Sequence, residues 1–208
     1  MTPREANSDV PIAAQASTAA ADDGRWLTLA NAITSARFPL APLCAWAILN
    51  RAVTLAFVCF AVAVASDLLD GRVARKRGEV SRLGGLLDHT SDALFVASGL
   101  AALAVLGVVP WLLAPLVVLA FVQYALDSKV LAGMKLRTSG LGRLNGVAYF
   151  VMLGTPLVRD LLGWEWPGAG LVSLLGGLLV ASTLLSMGDR ALTWLLSRRV
   201  PDLPGEER

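Results

Sequence analysis

Residues 52–92 read AVTLAFVCFAVAVASDLLDGRVARKRGEVSRLGGLLDHTSD, and they hold both halves of the argument about this chain. The first part is an apolar run of the ~20 residues that a helix needs to cross a bilayer. It ends on Asp67 and Asp70, passes through a short basic stretch with Arg72, Arg75, Lys76, Arg77 and Arg82, and re-enters apolar sequence after Asp88 and Asp92. A hairpin of two antiparallel membrane helices follows, with acidic groups on both helices at the end where the loop sits.

Working outward, five further stretches qualify or nearly qualify as spans. With 52–71 the set is 27–49, 52–71, 84–108, 110–127, 145–162 and 169–195. In 208 residues that are 55% hydrophobic and 16% charged, almost the whole chain is then membrane, and an ordinary soluble domain is excluded. The expected fold class is an all-α integral membrane protein of six transmembrane helices. A net charge of +2 says little, but its placement says more. Lys129, Lys135, Arg137 and Arg143 follow the fourth span and Arg198, Arg199 and Arg208 follow the sixth, whereas the opposite side carries only Arg51 and Arg159. The positive-inside rule puts the basic loops and both termini in the cytoplasm. Residues 1–24 read as a flexible cytoplasmic tail without a signal-peptide pattern, 25–197 as the six-helix domain and 198–208 as a second cytoplasmic tail.

The tryptophans fit this frame. Trp46, Trp111, Trp164 and Trp166 fall near outer ends of spans, and Trp26 and Trp194 near inner ends, as interfacial anchors do. Gly107 to Trp111 reads as a tight outer hairpin in which Pro110 opens the next helix. Cys44 and Cys59 lie inside apolar spans without metal-site spacing and read as packing residues. His89 is the only histidine, which leaves a His-rich metal site or a Ser-His-Asp triad little to build on.

Asp67 and Asp70, three apart, project from one helical face, and Gly84, Asp88 and Asp92 are successive i, i+4 positions on the next helix. Two carboxylate pairs on neighbouring helices can converge on one point. Left empty, that arrangement is unfavourable: an aspartate at the bilayer centre costs ~2.5–3.5 kcal/mol, less near the interface, and four like charges repel. Hard carboxylate oxygens suit Mg²⁺ or Mn²⁺, and four of them suit two ions, an arrangement able to clamp the attacking and leaving oxygens of a phosphoryl displacement. Arg75, a planar fork, is placed to hold a donor phosphate, and Gly71, Ala74 and Gly84 lack bulk where a nucleotide would approach. The alternative is that the aspartates cap helix ends and pair with arginines. A cation transporter is the rival from another class, but its carboxylates would be spread through the bilayer rather than gathered at one side.

The stretch resembles the signature of the CDP-alcohol phosphatidyltransferase family (class I), D-x2-D-G-x2-A-R-x8-G-x3-D-x3-D, with Asp67, Asp70, Gly71, Ala74, Arg75, Gly84, Asp88 and Asp92 at every fixed place. Asn31, Ile33, Thr34 and Arg37 resemble the family's Asn-x-Ile-Thr-x-x-Arg opening, with Ala30 where many relatives have proline. The resemblance implies that Asp67, Asp70 and Asp88 are metal ligands and that Asp92 joins the metal site while acting as the base for the acceptor hydroxyl. It implies that Gly71, Ala74, Arg75 and Gly84 line the CDP site. It further implies release of CMP, a homodimer, and a bacterial inner-membrane enzyme of phospholipid synthesis whose site faces the cytoplasm.

The expected donor is CDP-diacylglycerol and the expected acceptor a small polar alcohol, with glycerol 3-phosphate leading; a soluble CDP-alcohol with a lipid acceptor is the alternative. Lys129, Lys135, Arg137 and Arg143 are candidates for an acceptor phosphate, or ordinary positive-inside residues near anionic lipid. Gly142-Arg143-Leu144-Asn145 stands where the family often has a Gly-Lys-x-Lys-Thr-like run, which leaves an unusual acceptor open. No nucleic-acid partner is expected.

Overall fold

The computed structural model describes residues 29–77, 82–130 and 140–197. The two tails, Lys135 and Arg137 lie outside the described residues, as do the side chains of Ala74, Lys129 and Trp194 and the whole of Trp26. Seven helical segments follow one another within these bounds: α1 (Leu29–Ser35), α2 (Arg37–Leu49), α3 (Val53–Arg77), α4 (Arg82–Val105), α5 (Leu113–Val130), α6 (Gly140–Leu162) and α7 (Ala169–Ser197). The chain is an all-α integral membrane protein. By length and composition, Asn31–Leu49, Val53–Val73 and Ala169–Thr193 are able to cross a bilayer, and Leu113–Leu126 is a shorter apolar helix.

The helix boundaries differ from the expected ones in three instructive places. The first expected span is interrupted at Ala36, whose N–H turns back to the Ile33 carbonyl at 3.2 Å. Pro39 explains the break: it has no N–H for the carbonyl of Ser35 and its ring crowds that group. Pro110 does not open α5; its carbonyl instead accepts the N–H of Leu113 at 3.1 Å, forming the turn that precedes the helix. Finally, α6 begins at Gly140, five residues before the apolar stretch, because helical hydrogen bonding continues past the point where hydropathy ends.

Lipid is as apolar as leucine, so helices in a membrane associate through close packing of small residues rather than through burial of oil. The buried positions of α3 are Ala56, Cys59, Ala63, Ser66 and Asp70, alternating steps of three and four along one stripe. Its small side chains let α1 and α2 approach, and the stripe ends on a carboxylate. On α7 the inward positions are Val172, Gly176, Leu179, Thr183 and Ser186, while Leu174, Leu178 and Leu185 are exposed on the lipid side. Helix α2 packs most extensively on α4 and next on α3, and α4 also meets α5.

Two glycines seat α6. A Cβ on Gly154 would lie 2.5 Å from the Phe60 ring of α3, and one on Gly99 of α4 would lie 2.7 Å from Leu153. At the far end, Gly107 takes φ +71° in the turn between α4 and α5, a conformation that a side chain disfavours. Cys44 and Cys59 are free and buried in the core. Trp46, Trp111, Trp164 and Trp166 are exposed near helix ends, as anchors would be.

Candidate functional site

The lower ends of α1 to α4 meet around a single guanidinium. Arg37, the first residue of α2, is 1% exposed, and all three of its nitrogens are engaged. Its Nε donates to Ser66 Oγ at 3.0 Å. Nη1 donates to Asp88 Oδ1 at 2.9 Å, to Ser91 Oγ at 3.2 Å and to Asp92 Oδ1. Nη2 donates to Asp70 Oδ2 and lies 3.7 Å from Asp67 Oδ1. Thr34 of α1 adds a hydrogen bond to Asp70 Oδ2 at 2.7 Å. All four predicted aspartates therefore come together, held from α3 and α4 around a cation from α2.

Their surroundings differ. Asp70 is buried, Asp88 and Asp92 are part-buried, and Asp67 is the most open, with a side chain 41% exposed. Asp67, Asp70 and Asp88 each offer an oxygen within 4.8 Å of the others. Oxygens bound to one Mg²⁺ at ~2.1 Å lie at most ~4.2 Å apart, so small side-chain adjustments bring this trio into range of an ion. An all-carboxylate set is the donor chemistry that hard divalent cations take, and the residues fit. Asp92 stands apart from the trio, joined to it through Arg37, and faces a cavity.

That cavity, of about 570 Å³, runs from Asp67 and Asp92 between α4, α5, α6 and α7. Val96, Val117, Phe121 and Phe150 line its apolar part, and His89, Tyr124, Asn145, Arg143 and Arg190 its polar part. Arg190 lies over the Tyr124 ring with its guanidinium carbon 5.8 Å from the centroid, and the His89 ring packs against the same tyrosine at 5.4 Å. Gly142 makes room for Arg190: a Cβ there would fall 2.5 Å from its Nη2. Two buried polar atoms on the wall, Gln123 Oε1 and Asn145 Nδ2, have no hydrogen-bond partner within the described protein.

Other predicted residues are distributed as follows. Arg75 lies on exposed helix and folds back over Gly71, its Nη1 3.5 Å from where a Cβ would be. Gly71 and Gly84 are part-buried near the acidic cluster on α3 and α4. Arg143 lines the cavity; Lys129, Lys135 and Arg137, the other candidates for an acceptor phosphate, have side chains outside the described residues.

Arg37 and Arg190 were missed as site residues. For Arg190 a signal existed: it continues the inward α7 stripe of 172, 176, 179, 183 and 186 by one further step of four, and an arginine on the inner face of a membrane helix marks a functional position. For Arg37 the only signal was its place in the Asn31–Arg37 resemblance.

The geometry agrees with comparison to known proteins: a model of the CDP-alcohol phosphatidyltransferase family matches residues 27–193. The chain belongs to this family. Among curated relatives, a cardiolipin synthase (CMP-forming) of Streptomyces coelicolor is 37% identical over 95 residues, covering 42% of this chain and 44% of the relative. A probable phosphatidylglycerophosphate synthase of Mycobacterium tuberculosis H37Rv is 30% identical over 115 residues, 52% of this chain and 55% of the relative. A chloroplastic CDP-diacylglycerol–glycerol-3-phosphate 3-phosphatidyltransferase of Oryza sativa subsp. japonica is 35% identical over 94 residues, 45% and 28% respectively. The matches thus span about half or less of these relatives' lengths. The clustered aspartates are those whose spacing in 67–92 resembles the family signature.

Proposed function

We propose that this protein transfers the phosphatidyl group of CDP-diacylglycerol to the hydroxyl of a small phosphorylated alcohol, with glycerol 3-phosphate as the first candidate, and releases CMP. One observation carries the reading: the oxygens of Asp67, Asp70 and Asp88 converge, and Asp67 opens onto a cavity that it lines together with Asp92, Arg143 and Arg190. The names of the rice and mycobacterial relatives, which specify glycerol 3-phosphate and phosphatidylglycerophosphate, support the acceptor class.

In this reading Asp67, Asp70 and Asp88, with Asp92 at their edge, hold Mg²⁺ or Mn²⁺, two ions when fully loaded. The cations supply charge neutralisation for the donor diphosphate and the departing CMP. The chain's own residues do the rest. Gly71, Ala74, Arg75 and Gly84 border the CDP moiety, with the Arg75 fork on a phosphate. Arg190 and Arg143 hold the acceptor's phosphate, Arg190 resting over the Tyr124 ring, so the acceptor is oriented before it reacts. Asp92 takes the proton of the acceptor hydroxyl as its oxygen bonds to the lipid-side phosphorus and the bond from that phosphorus to the CMP oxygen breaks. Base and reacting oxygen are thereby on the same side of the acidic cluster. The apolar wall of Val96, Val117, Phe121 and Phe150 excludes water that would otherwise compete as acceptor.

The same reading places six spans in a bacterial inner membrane, with both termini and the site on the cytoplasmic side and two copies forming a homodimer. The basic residues around the acidic ends of α3 and α4 support that orientation.

Offering the purified protein labelled CDP-diacylglycerol with a panel of alcohols, in Mg²⁺ or Mn²⁺, tests the proposal. A phosphatidyl product with glycerol 3-phosphate and stoichiometric CMP is expected. Product formed only from a soluble CDP-alcohol plus diacylglycerol would reverse the donor, and metal flux in proteoliposomes without CMP release would replace the enzyme by a transporter.

A further inference from the structure

Four carboxylates gathered at one membrane site need compensating charge, and part of that charge is built into the chain. Arg37 sits at the centre of the cluster on a prepared seat. Ser66 Oγ donates its proton to the Ala63 carbonyl at 2.8 Å, and Ser91 Oγ donates its own to the Asp88 carbonyl at 2.8 Å. Each hydroxyl thus spends its hydrogen on its own helix and turns lone pairs toward Arg37, one to Nε and the other to Nη1. These two serines, on α3 and α4, fix the plane of the guanidinium between the helices. The fork then takes one oxygen from each of Asp70, Asp88 and Asp92. The second oxygen of each carboxylate stays outside that ion pair.

We propose that Arg37 is the resident counter-cation and positioning residue of the acidic site. It holds the four aspartates together when no divalent ion is bound, and it sorts their oxygens, keeping one from each of three carboxylates and leaving the other for the metal. A planar donor array is required for this, since three carboxylates and two hydroxyls are met in fixed directions; a lysine ammonium supplies charge without the fork. Through its oxygens Arg37 sets how tightly the site takes a divalent ion, without itself contacting substrate. The sorting half rests on the metal-site reading of the aspartates; the counter-cation half does not.

The test uses the full chain in detergent, with thermal melting in EDTA and Mn²⁺ and with free Mn²⁺ followed by electron paramagnetic resonance. Wild type is expected to melt cooperatively in EDTA. Arg37→Met should melt well below it in EDTA and regain more of its melting temperature on adding Mn²⁺ than wild type gains. Arg37→Lys should keep an EDTA melting temperature nearer wild type yet bind Mn²⁺ about tenfold more weakly, the usual order for loss of a group that orients metal ligands. A merely structural arginine would not separate those two readouts. Melting of Arg37→Met at the wild-type temperature in EDTA overturns the counter-cation role, and wild-type Mn²⁺ affinity in Arg37→Lys overturns the sorting role. If Arg37→Met yields no folded protein even with Mn²⁺, the lysine variant alone decides. Failure of wild type itself to bind Mn²⁺ would instead defeat the metal-site reading and the sorting role with it, while EDTA melting still judges the counter-cation role.

Discussion

Replacing Asp92 by asparagine separates chemistry from architecture. In the folded protein the Asp92 carboxylate accepts a hydrogen bond from Arg37 through Oδ1, and asparagine keeps an oxygen able to do the same. What changes is the charge on the acceptor: the bond from the guanidinium remains charge-assisted but loses its ion-pair component, so the loss of stability is on the order of 1 kcal/mol. For a chain of this size that is about 2–4 °C in melting temperature. Arg37 stays paired with Asp70 and Asp88, so no buried charge is stranded. The catalytic loss is far larger, because an amide cannot take the acceptor proton. General-base assistance contributes about 10²–10⁴-fold, equivalent to about 3–5 kcal/mol of barrier. CMP release at saturating substrates should therefore fall by at least about a hundredfold, with donor binding near that of wild type. Turnover within tenfold of wild type would remove Asp92 as the base, and a collapse of donor binding would show that its role is structural.

Asp67→Ala should weaken Mn²⁺ binding with little effect on melting, since Asp67 is the most open of the four and the furthest from Arg37; unchanged metal dependence would contradict its role as ligand. Arg190→Gln should raise the KM for a phosphorylated acceptor by about 10- to 100-fold, the worth of one charge-assisted hydrogen bond, and leave the KM for CDP-diacylglycerol unchanged; equal effects on both substrates would detach Arg190 from the acceptor. Gly142→Ala pushes a methyl to within 2.5 Å of the present Arg190 Nη2 and should imitate that defect in weaker form, measurable in the same titration. Gly154→Leu forces a branched side chain onto the Phe60 ring and should cost about 1–3 kcal/mol, read as a lower melting temperature; a variant that melts at or above wild type would mean that α6 and α3 are not seated through this contact.

The sequence alone determined which faces carry the acidic groups. Spacings of three and four residues put Asp67 with Asp70 and Asp88 with Asp92, and the apolar runs on either side made both helices membrane elements. Those conclusions needed only the pitch of a helix and the length of a bilayer, which are local properties. Residues brought in from distant parts of the chain were another matter. Arg37 is 33 positions from Asp70 and 55 from Asp92, and Arg190 lies about 100 residues beyond the acidic stretch, yet the first occupies the centre of the cluster and the second the wall of the cavity. Helical periodicity fixes the face a residue presents but not which helix lies opposite it or at what rotation. Here those choices follow from close packing: Gly154 against Phe60, Gly99 against Leu153, and the small-residue stripe of α3 beneath α2. Only once these helices are in contact do the carboxylates acquire a partner cation and the cavity its polar end.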